Sequence, residues 1–289
     1  MKNWEFRFFL PGEKREDDGK TFGLTASECY PADAAMTVLG EAFGGSYESV
    51  LSGLERYAAD AKETIYSAMI LFRENVGNEA FIKAFSALFP GVPCAGGTAA
   101  QTEEHGPRVL PGEGEVAVML VGEPTQVFAG NVHEKKGSVM IECDGQYVDR
   151  IDGMDAAEWY RRQAARYTDG TVCYEQLTLS EDNGKNVHFT ERDGRLYANA
   201  ALDTEEIELR FSTRKGAQEA ANRFANTPKT IVFGCAGVNT LLDERVTIGE
   251  GSLIGFLFSE VVTLGGKPAF ANLMLSKIVF GGEPKQSQS

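Results

Sequence analysis

A mixed α/β fold of two related halves is the class the sequence predicts, and three observations carry it. Near-continuous apolar runs such as Thr64 to Phe72 (TIYSAMILF) and Thr230 to Gly234 (TIVFG) read as buried strands. Stretches of helical period separate them. The order strand, helix or turn, strand, loop, strand then occurs twice along the chain. Each half is expected to form a mixed or mostly antiparallel sheet with flanking helices, and the two sheets to stack as an αββα sandwich.

Glu5 to Phe9 is the first expected strand, and the charged stretch Glu13 to Lys20 a loop. Pro31-Ala32-Asp33 has the form of a helix start, with Met36, Leu39 and Phe43 at helical spacing. Gly44-Gly45 would end that helix. Ser46 is the expected N-cap of a second, with Glu48 near the capping-box position and Val50, Leu51, Leu54 and Tyr57 on its apolar stripe. After the Thr64–Phe72 strand, Asn78 is expected to cap a helix with Phe81, Ile82, Phe85 and Leu88 facing inward. Val92 to Ala95 reads as a short strand running into a small-residue loop. Residues 101–114 are polar and Pro/Gly-rich. Glu115 to Val121 and Gln126 to Ala129 read as a hairpin.

In the second half, Ser138 to Ile151 forms a hairpin around Asp144-Gly145. Asp155 is an N-cap opening a helix that buries Ala156, Trp159, Tyr160 and Ala164. Cys173 to Leu179, Asn186 to Thr190, Leu196 to Ala200 and Ile207 to Phe211 are strands, with turns at Asp182-Asn183-Gly184 and Asp193-Gly194. Gly216 to Phe224 is a helix, and a short one is expected near Asn239 to Asp243. Leu253 to Phe258, Glu260 to Leu264 and Phe270 to Phe280 complete the strands. The organisation expected is one half over 1–133, a second over 134–281, and a loose polar tail over 282–289.

Composition narrows the partners. The 28 Lys and Arg against 42 Asp and Glu leave a net charge of −14, which repels phosphate backbones and anionic lipid. Nucleic acid is therefore not expected. No apolar run reaches the length a bilayer needs, so no membrane insertion is expected. Met1 to Arg7 carries charges where a signal peptide needs apolar residues, and a cytoplasmic protein is expected. The five cysteines (29, 94, 143, 173 and 235) are scattered, with no Cys-x-x-Cys, so free buried thiols are the default and no structural zinc is expected. No cofactor is expected either; the glycine loop lacks the Gly-Lys-Ser/Thr ending of a phosphate loop.

Two similar pieces, VPCAGG at Val92 to Gly97 and FGCAG at Phe233 to Gly237, suggest duplicate cysteine sites. The larger repeat argues otherwise. Pro93 and Gly255 lie equally far beyond the ends of their leading strands, Phe72 and Gly234. That register sets Cys94 against Phe256 and Cys235 against Arg73. The two tripeptides then occupy different corners, yet both strand ends could border one crevice.

Four collinear segments carry a resemblance to the FIST family, sensory domains with N and C portions in signal-transduction proteins. GVPCAGG is similar to the N-portion Gly-Cys-Ser-Thr-x-Gly-Glu motif. VMIECDGQYVDRIDGMDAAEWYRR resembles the opening of the C portion. TIVFGCAGVNTLLDE resembles its strand ending in Ser-Cys-Ala-x-Arg, and IGFLFSEVVTLGGKPAFANLMLSKIVF its close. The resemblance spans most of 64–280. It departs where Gly97-Thr98-Ala99 replaces Gly-Glu, where Val238 replaces Arg, and where Ser259-Glu260 lacks the glycine. It implies a sensor of an amino-acid-like metabolite, with a signalling partner protein acting in trans.

The candidate ligand-binding residues are Cys94, Gly96, Gly97, Thr98, Cys235, Asn239, Phe256, Glu260 and Asn272. Gly96 and Gly97 either let backbone N–H groups approach a ligand, with Thr98 adding a hydroxyl, or serve a tight turn. Cys235 sits at a strand end, where α/β ligand sites gather, but a catalytic thiol needs a base, and His105, His133 and His188 cannot be assigned to it. Phe256 and Phe270 are core or pocket wall. Asn272 needs a partner if buried. Alternation turns Glu260 outward as a solvated carboxylate, unless it faces a ligand. The rivals to a sensor are a cysteine-dependent hydrolase or transferase and a protein-interaction scaffold. No complete catalytic constellation is visible, which leans the reading away from an enzyme.

Overall fold

The computed structural model describes residues 1–281 except 14–15, 61–62, 101–105, 113, 168–172, 182–183, 199–201 and 203–204. The expected Asp182-Asn183 turn, His105, most of the 101–114 loop's start and the 282–289 tail lie outside the described residues. In chain order the first elements are β1 (Lys2–Phe9), β2 (Thr21–Thr25), β3 (Glu28–Tyr30), β4 (Met36–Gly45) and α1 (Tyr47–Asp60). Next come β5 (Ser67–Phe72), α2 (Asn78–Leu88), β6 (Cys94–Thr98), β7 (Val109–Leu110), β8 (Val116–Val121) and β9 (Thr125–Asn131). The middle holds β10 (Glu134–Asp144), β11 (Tyr147–Ile151), β12 (Met154–Asp155), α3 (Ala156–Tyr167), β13 (Leu177–Ser180), β14 (Asn186–Val187), β15 (Phe189–Arg192), β16 (Arg195–Ala198) and β17 (Glu206–Phe211). The last are α4 (Arg214–Ala225), β18 (Thr230–Cys235), α5 (Ala236–Asn239), β19 (Leu253–Leu257), β20 (Ser259–Leu264), β21 (Lys267–Ala271) and β22 (Met274–Phe280).

The fold is mixed α/β, and its centre is a sandwich. A nine-stranded sheet runs β21-β20-β6-β5-β8-β4-β1-β2-β7, and a five-stranded sheet runs β3-β19-β18-β22-β9. Their facing sides share one core: Phe6, Phe8, Met69, Leu71 and Met119 from the first meet Ile231, Phe233, Leu257 and Ile278 from the second. Phe233 stands edge-on to Phe6 and Phe8, each ring centroid 5.7 Å away. Such edge contacts add to the area the rings bury. Helices α1 and α2 cover the outer face of the large sheet through Val50, Leu54, Phe81 and Phe85. Helix α4 covers the other through Ala217, Ala221 and Ala225. The layers are therefore αββα.

The repeat is real in topology. β5 pairs parallel with β6 and antiparallel with β8; β18 pairs parallel with β19 and antiparallel with β22. Leu71 and Phe233 both face the central core, which aligns Phe72 with Gly234 and Cys235 with Arg73. Phe72 pairs with Thr98 and Gly234 with Phe256, so Phe256 matches Thr98 rather than Cys94. The longer helix α2 lengthens the first connection, which equal spacing in sequence could not reveal. The division at 133/134 falls between β9 and β10, but strands cross it. β3 and β9 join the five-stranded sheet, while β20 and β21 extend the nine-stranded one through β6.

A third sheet, β14-β13-β17-β10-β11-β16-β15 with β12 beside β11, lies within residues 134–211 and packs on α3 around Trp159, Tyr160, Phe189 and Ile207. The Asp144-Gly145 hairpin forms as expected, with Gly145 at φ 62°. Asp155 caps α3, its Oδ1 accepting the Glu158 N–H at 2.9 Å. Asp155→Ala should therefore lower stability by about 1 kcal/mol in chemical denaturation, with the spectrum of the folded state unchanged.

Several elements differ from expectation. Met36 to Gly45 is a strand, not a helix: β1 and β8 flank it on both sides, and Val38 and Gly40 are buried in alternation. Pairing on both edges outweighs a weak helical spacing. Asp33 turns the chain before it, at φ 61°. Ser46 caps α1 as expected, accepting Ser49 N–H at 3.2 Å, but Ser49 rather than Glu48 makes the reciprocal contact, donating to Ser46 O at 2.9 Å. Gly77, not Asn78, occupies the N-cap of α2. β8 and β9 are not a hairpin, because the short link between them carries the chain from one sheet to the other. Phe270 to Phe280 is two strands, broken at Asn272-Leu273 where Leu273 takes φ 53°.

Candidate functional site

The glycines of VPCAGG lie inside β6, not in a loop. Gly96 has φ 146°, and a Cβ there would fall 2.0 Å from the Ile70 carbonyl oxygen. A Cβ on Gly97 would fall 2.2 Å from the Ser259 carbonyl oxygen. Both glycines thus let β5 and β20 close on either edge of β6, and neither forms a ligand loop. Thr98 is buried, its Oγ1 accepting from Asn78 Nδ2 at 3.1 Å and from Ser259 Oγ at 3.2 Å. Tyr47 donates to Asn78 Oδ1 at 2.7 Å, closing a small polar network under α2. Cys94 is fully buried, its backbone N–H donating to Thr263 Oγ1 at 2.7 Å and its thiol to Val92 O at 3.5 Å.

Cys235 ends β18 on the other side of the sandwich. It belongs to the core beneath α4, whereas Cys94 belongs to the core beneath α1 and α2. The two cysteines therefore do not border one crevice: Cys94 lies on the outer, helix-covered face of the large sheet and belongs to a different core from Cys235. The Cys94 thiol lies on the helix-covered side of its sheet, whereas Cys235, at the end of β18, shares the parity of Ile231 and Phe233 and turns towards Glu260 of the large sheet. Asn239, on α5, donates to Glu28 Oε2 at 2.9 Å. Phe256 is core: its ring lies 6.1 Å from Tyr30 and over the bare backbone of Gly234. Asn272 sits half-buried at the break between β21 and β22.

Glu260 is the exception to every expectation. It is fully buried, opposite Gly97 in β6 and Ala271 in β21, rather than turned to solvent. The inter-strand alternation holds, but the side it selects is covered by the second sheet. Neither carboxyl oxygen has a hydrogen-bond partner among the described residues. The Met274 N–H and the Cys235 thiol favour its charged form, but neither forms a hydrogen bond with it. Burial pushes the Glu260 carboxyl well above the usual range. Burial first, and the carboxyl second, push the Cys235 thiol up as well. The pair is a neutral acid beside a neutral thiol, not an activated nucleophile.

A polar junction that sequence reasoning missed joins the sandwich to the third sheet. Asn131 and Asn186 exchange hydrogen bonds at 2.8 and 3.2 Å, and Asn186 Nδ2 also donates to Leu273 O at 3.0 Å. His133 is buried and its Nε2 donates to Glu175 O at 2.6 Å. Desolvation holds its pKa down to about 4, so it is neutral. Glu175 itself lies 3.8 Å from His188 Nε2 and accepts the Cys173 thiol at 3.4 Å. The sequence signal was weak, since His133 and Asn186 sit in polar stretches that look exposed.

Burial raises all five thiols above their ordinary value, Cys29 to about 11. None has the depressed pKa that a thiolate nucleophile needs. Clefts of about 590, 400, 580 and 550 Å³ open among the described residues, and none of these is lined by the nine predicted ligand-binding residues. Two have organised chemistry. The 550 Å³ cleft lies between α2, the β20–β21 turn and the side chains of Glu181 and Lys185. Ile82 and Phe270 are buried at its floor, Pro90 and Pro268 add apolar surface, and Lys83, Lys185, Lys267, Glu79 and Glu181 supply its charges. Phe270, already suspected as a pocket wall, is braced by Phe72 at 6.1 Å. Lys185 and Glu79 face each other across the cleft at 3.6 Å. The 400 Å³ cleft lies between β9, β22 and α4.

Compared with known proteins, the chain matches no family model and no curated sequence. Among the described residues no helix is long and apolar enough to cross a membrane.

Proposed function

We propose that this chain binds a small amino-acid-like metabolite and serves as the sensory component of a signalling system. The observation that carries the reading is the 550 Å³ cleft, whose apolar floor is rimmed by charges of both signs. A free amino acid presents a carboxylate, an ammonium and a side chain, and this rim offers complementary partners to the first two. Its volume falls in the range of small-molecule sites. The cleft also spans two layers, because α2 and the β20–β21 turn belong to the sandwich while Glu181 and Lys185 flank the third sheet. A ligand held by both would favour one arrangement of the two over others, which is the physical requirement for a sensor. A partner protein reading that arrangement would carry the output. The collinear FIST-like segments support the same reading, and the raised thiols give the rival cysteine enzyme no support.

The test is a thermal-shift and calorimetric screen of the free proteinogenic amino acids. At least one should raise the melting temperature and bind with measurable heat. Lys267→Glu, at an exposed rim position, should weaken that ligand by about tenfold without altering stability. The reading is lost if no amino acid binds, or if Lys267→Glu and Lys83→Glu both leave affinity unchanged.

A further inference from the structure

The 400 Å³ cleft is chemically unlike the first. Lys277 forms its base, a lysine in the interior of β22 that is only 8% exposed. Its Nζ donates to Phe224 O at 2.6 Å and Thr227 Oγ1 at 3.0 Å. The first contact caps a carbonyl in the last turn of α4, where a cation is favoured. Two acceptors leave the third donor of the ammonium without a partner among the described residues. Desolvation lowers its pKa, so an anion in the cleft would stabilise its charged form. Arg223 lines the same cleft, is exposed, and has no ion pair among the described residues. The rest of the lining is Phe128, Phe224, Leu275, Ala129, Ala220, Gly130 and Asn131, with no acid. In a chain of net charge −14, two cations unopposed in one cleft are conspicuous.

The walls say what the anion would carry. Lys277 Nζ lies 4.5 Å from the Phe224 ring centroid and 5.4 Å from that of Phe128. Phe128 is 38% exposed, a large apolar side chain turned to solvent beside a buried charge. Gly130 clears the floor: a Cβ there would fall 2.6 Å from the Phe224 ring. A ligand with its charged end on Lys277 and Arg223 would lay an apolar or aromatic body against these two rings.

We propose that the cleft between β9, β22 and α4 is a second binding site, specific for an organic monoanion with an aromatic or apolar body, of which an aryl carboxylate is the simplest form. It lies at a different cleft from the amino-acid site and does not rest on that reading.

The experiment uses the full chain with benzoate, its neutral counterpart benzamide, and inorganic phosphate, followed by calorimetry and by chemical-shift changes at Gly130 and Phe128. Benzoate should bind at millimolar concentration or better, and benzamide and phosphate each about tenfold more weakly. Arg223→Glu and Phe128→Ala, both surface changes that leave the fold intact, should each weaken benzoate by about tenfold, while Lys83→Glu in the other cleft should not. No binding of benzoate up to ~10 mM would overturn the proposal. So would equal binding of benzamide, which would remove the role of charge, or equal binding of phosphate, which would remove the role of the rings. Benzoate affinity indifferent to both Arg223→Glu and Phe128→Ala would overturn it as well.

Discussion

Gly96→Ala is expected to destabilise the protein by about 3 kcal/mol or more, with or without ligand. Two penalties act together. An L-residue at φ 146° is strained, and the added Cβ would meet the Ile70 carbonyl oxygen at 2.0 Å. That oxygen is backbone in a buried strand, so it cannot swing aside as a flexible side chain would. Relief requires β6 to move away from β5, which breaks a parallel pairing that runs from Ala68–Cys94 to Phe72–Thr98. Chemical denaturation should show the loss as a lower midpoint, and amino-acid affinity at the 550 Å³ cleft should be unchanged in whatever fraction still folds. A Gly96→Ala variant of native stability that had lost a ligand would restore the loop reading of this glycine.

Glu260→Gln is expected to stabilise the protein at neutral and alkaline pH and to do nothing in acid. The carboxyl is fully buried with no hydrogen-bond partner, and its pKa lies well above the ordinary carboxylate value. An acid of this kind binds its proton in the folded state while the unfolded chain releases it. Stability is therefore greatest below the unfolded pKa and falls as pH rises towards the folded one. The slope is at most ~1.4 kcal/mol per pH unit. Gln keeps the shape and the neutral polar head, so it removes only this ionisation. Wild type and variant should unfold together near pH 4 and diverge in the variant's favour above it. Each ~1 kcal/mol gained would appear as a melting-temperature increase of about 2–4 °C. A constant difference across the pH range, or none, would mean that Glu260 ionises freely in the folded protein.

These two residues also show where sequence reading succeeds and fails. The buried strands at Thr64 to Phe72 and Thr230 to Gly234 were legible because each is apolar throughout, as a strand covered on both faces must be. Asp155 and Ser46 were legible as caps, since the contact that defines a cap reaches only three residues. Met36 to Gly45 was misread because its spacing suited a helix, and only the flanking β1 and β8 impose a strand. Glu260 was misread for a related reason. Alternation predicts that it faces away from Val261, but the second sheet, not the sequence, makes that side interior.

The candidate site divides in the same way. Cys94, Thr98, Cys235, Phe256 and Glu260 are all buried within strands or at their ends, and only Thr98 and Cys235 close the strands they belong to. The clefts assemble from residues far apart in the chain: Phe128 with Arg223 and Lys277 in one, Lys83 with Lys185 and Lys267 in the other. No local motif spells such a grouping, because nothing within a segment records which distant segment will lie beside it.

The sequence by itself determined the mixed α/β class, the duplicated strand–helix–strand unit and the excess of negative charge, because each depends on local periodicity or composition. The tertiary structure decided which strands exchange between the halves, which carboxyl is stripped of water, and where unopposed cations gather in an acidic protein. Those outcomes follow from the stacking of two sheets and the helices laid over them, which turns an alternating face into an interior and brings remote side chains to one cleft.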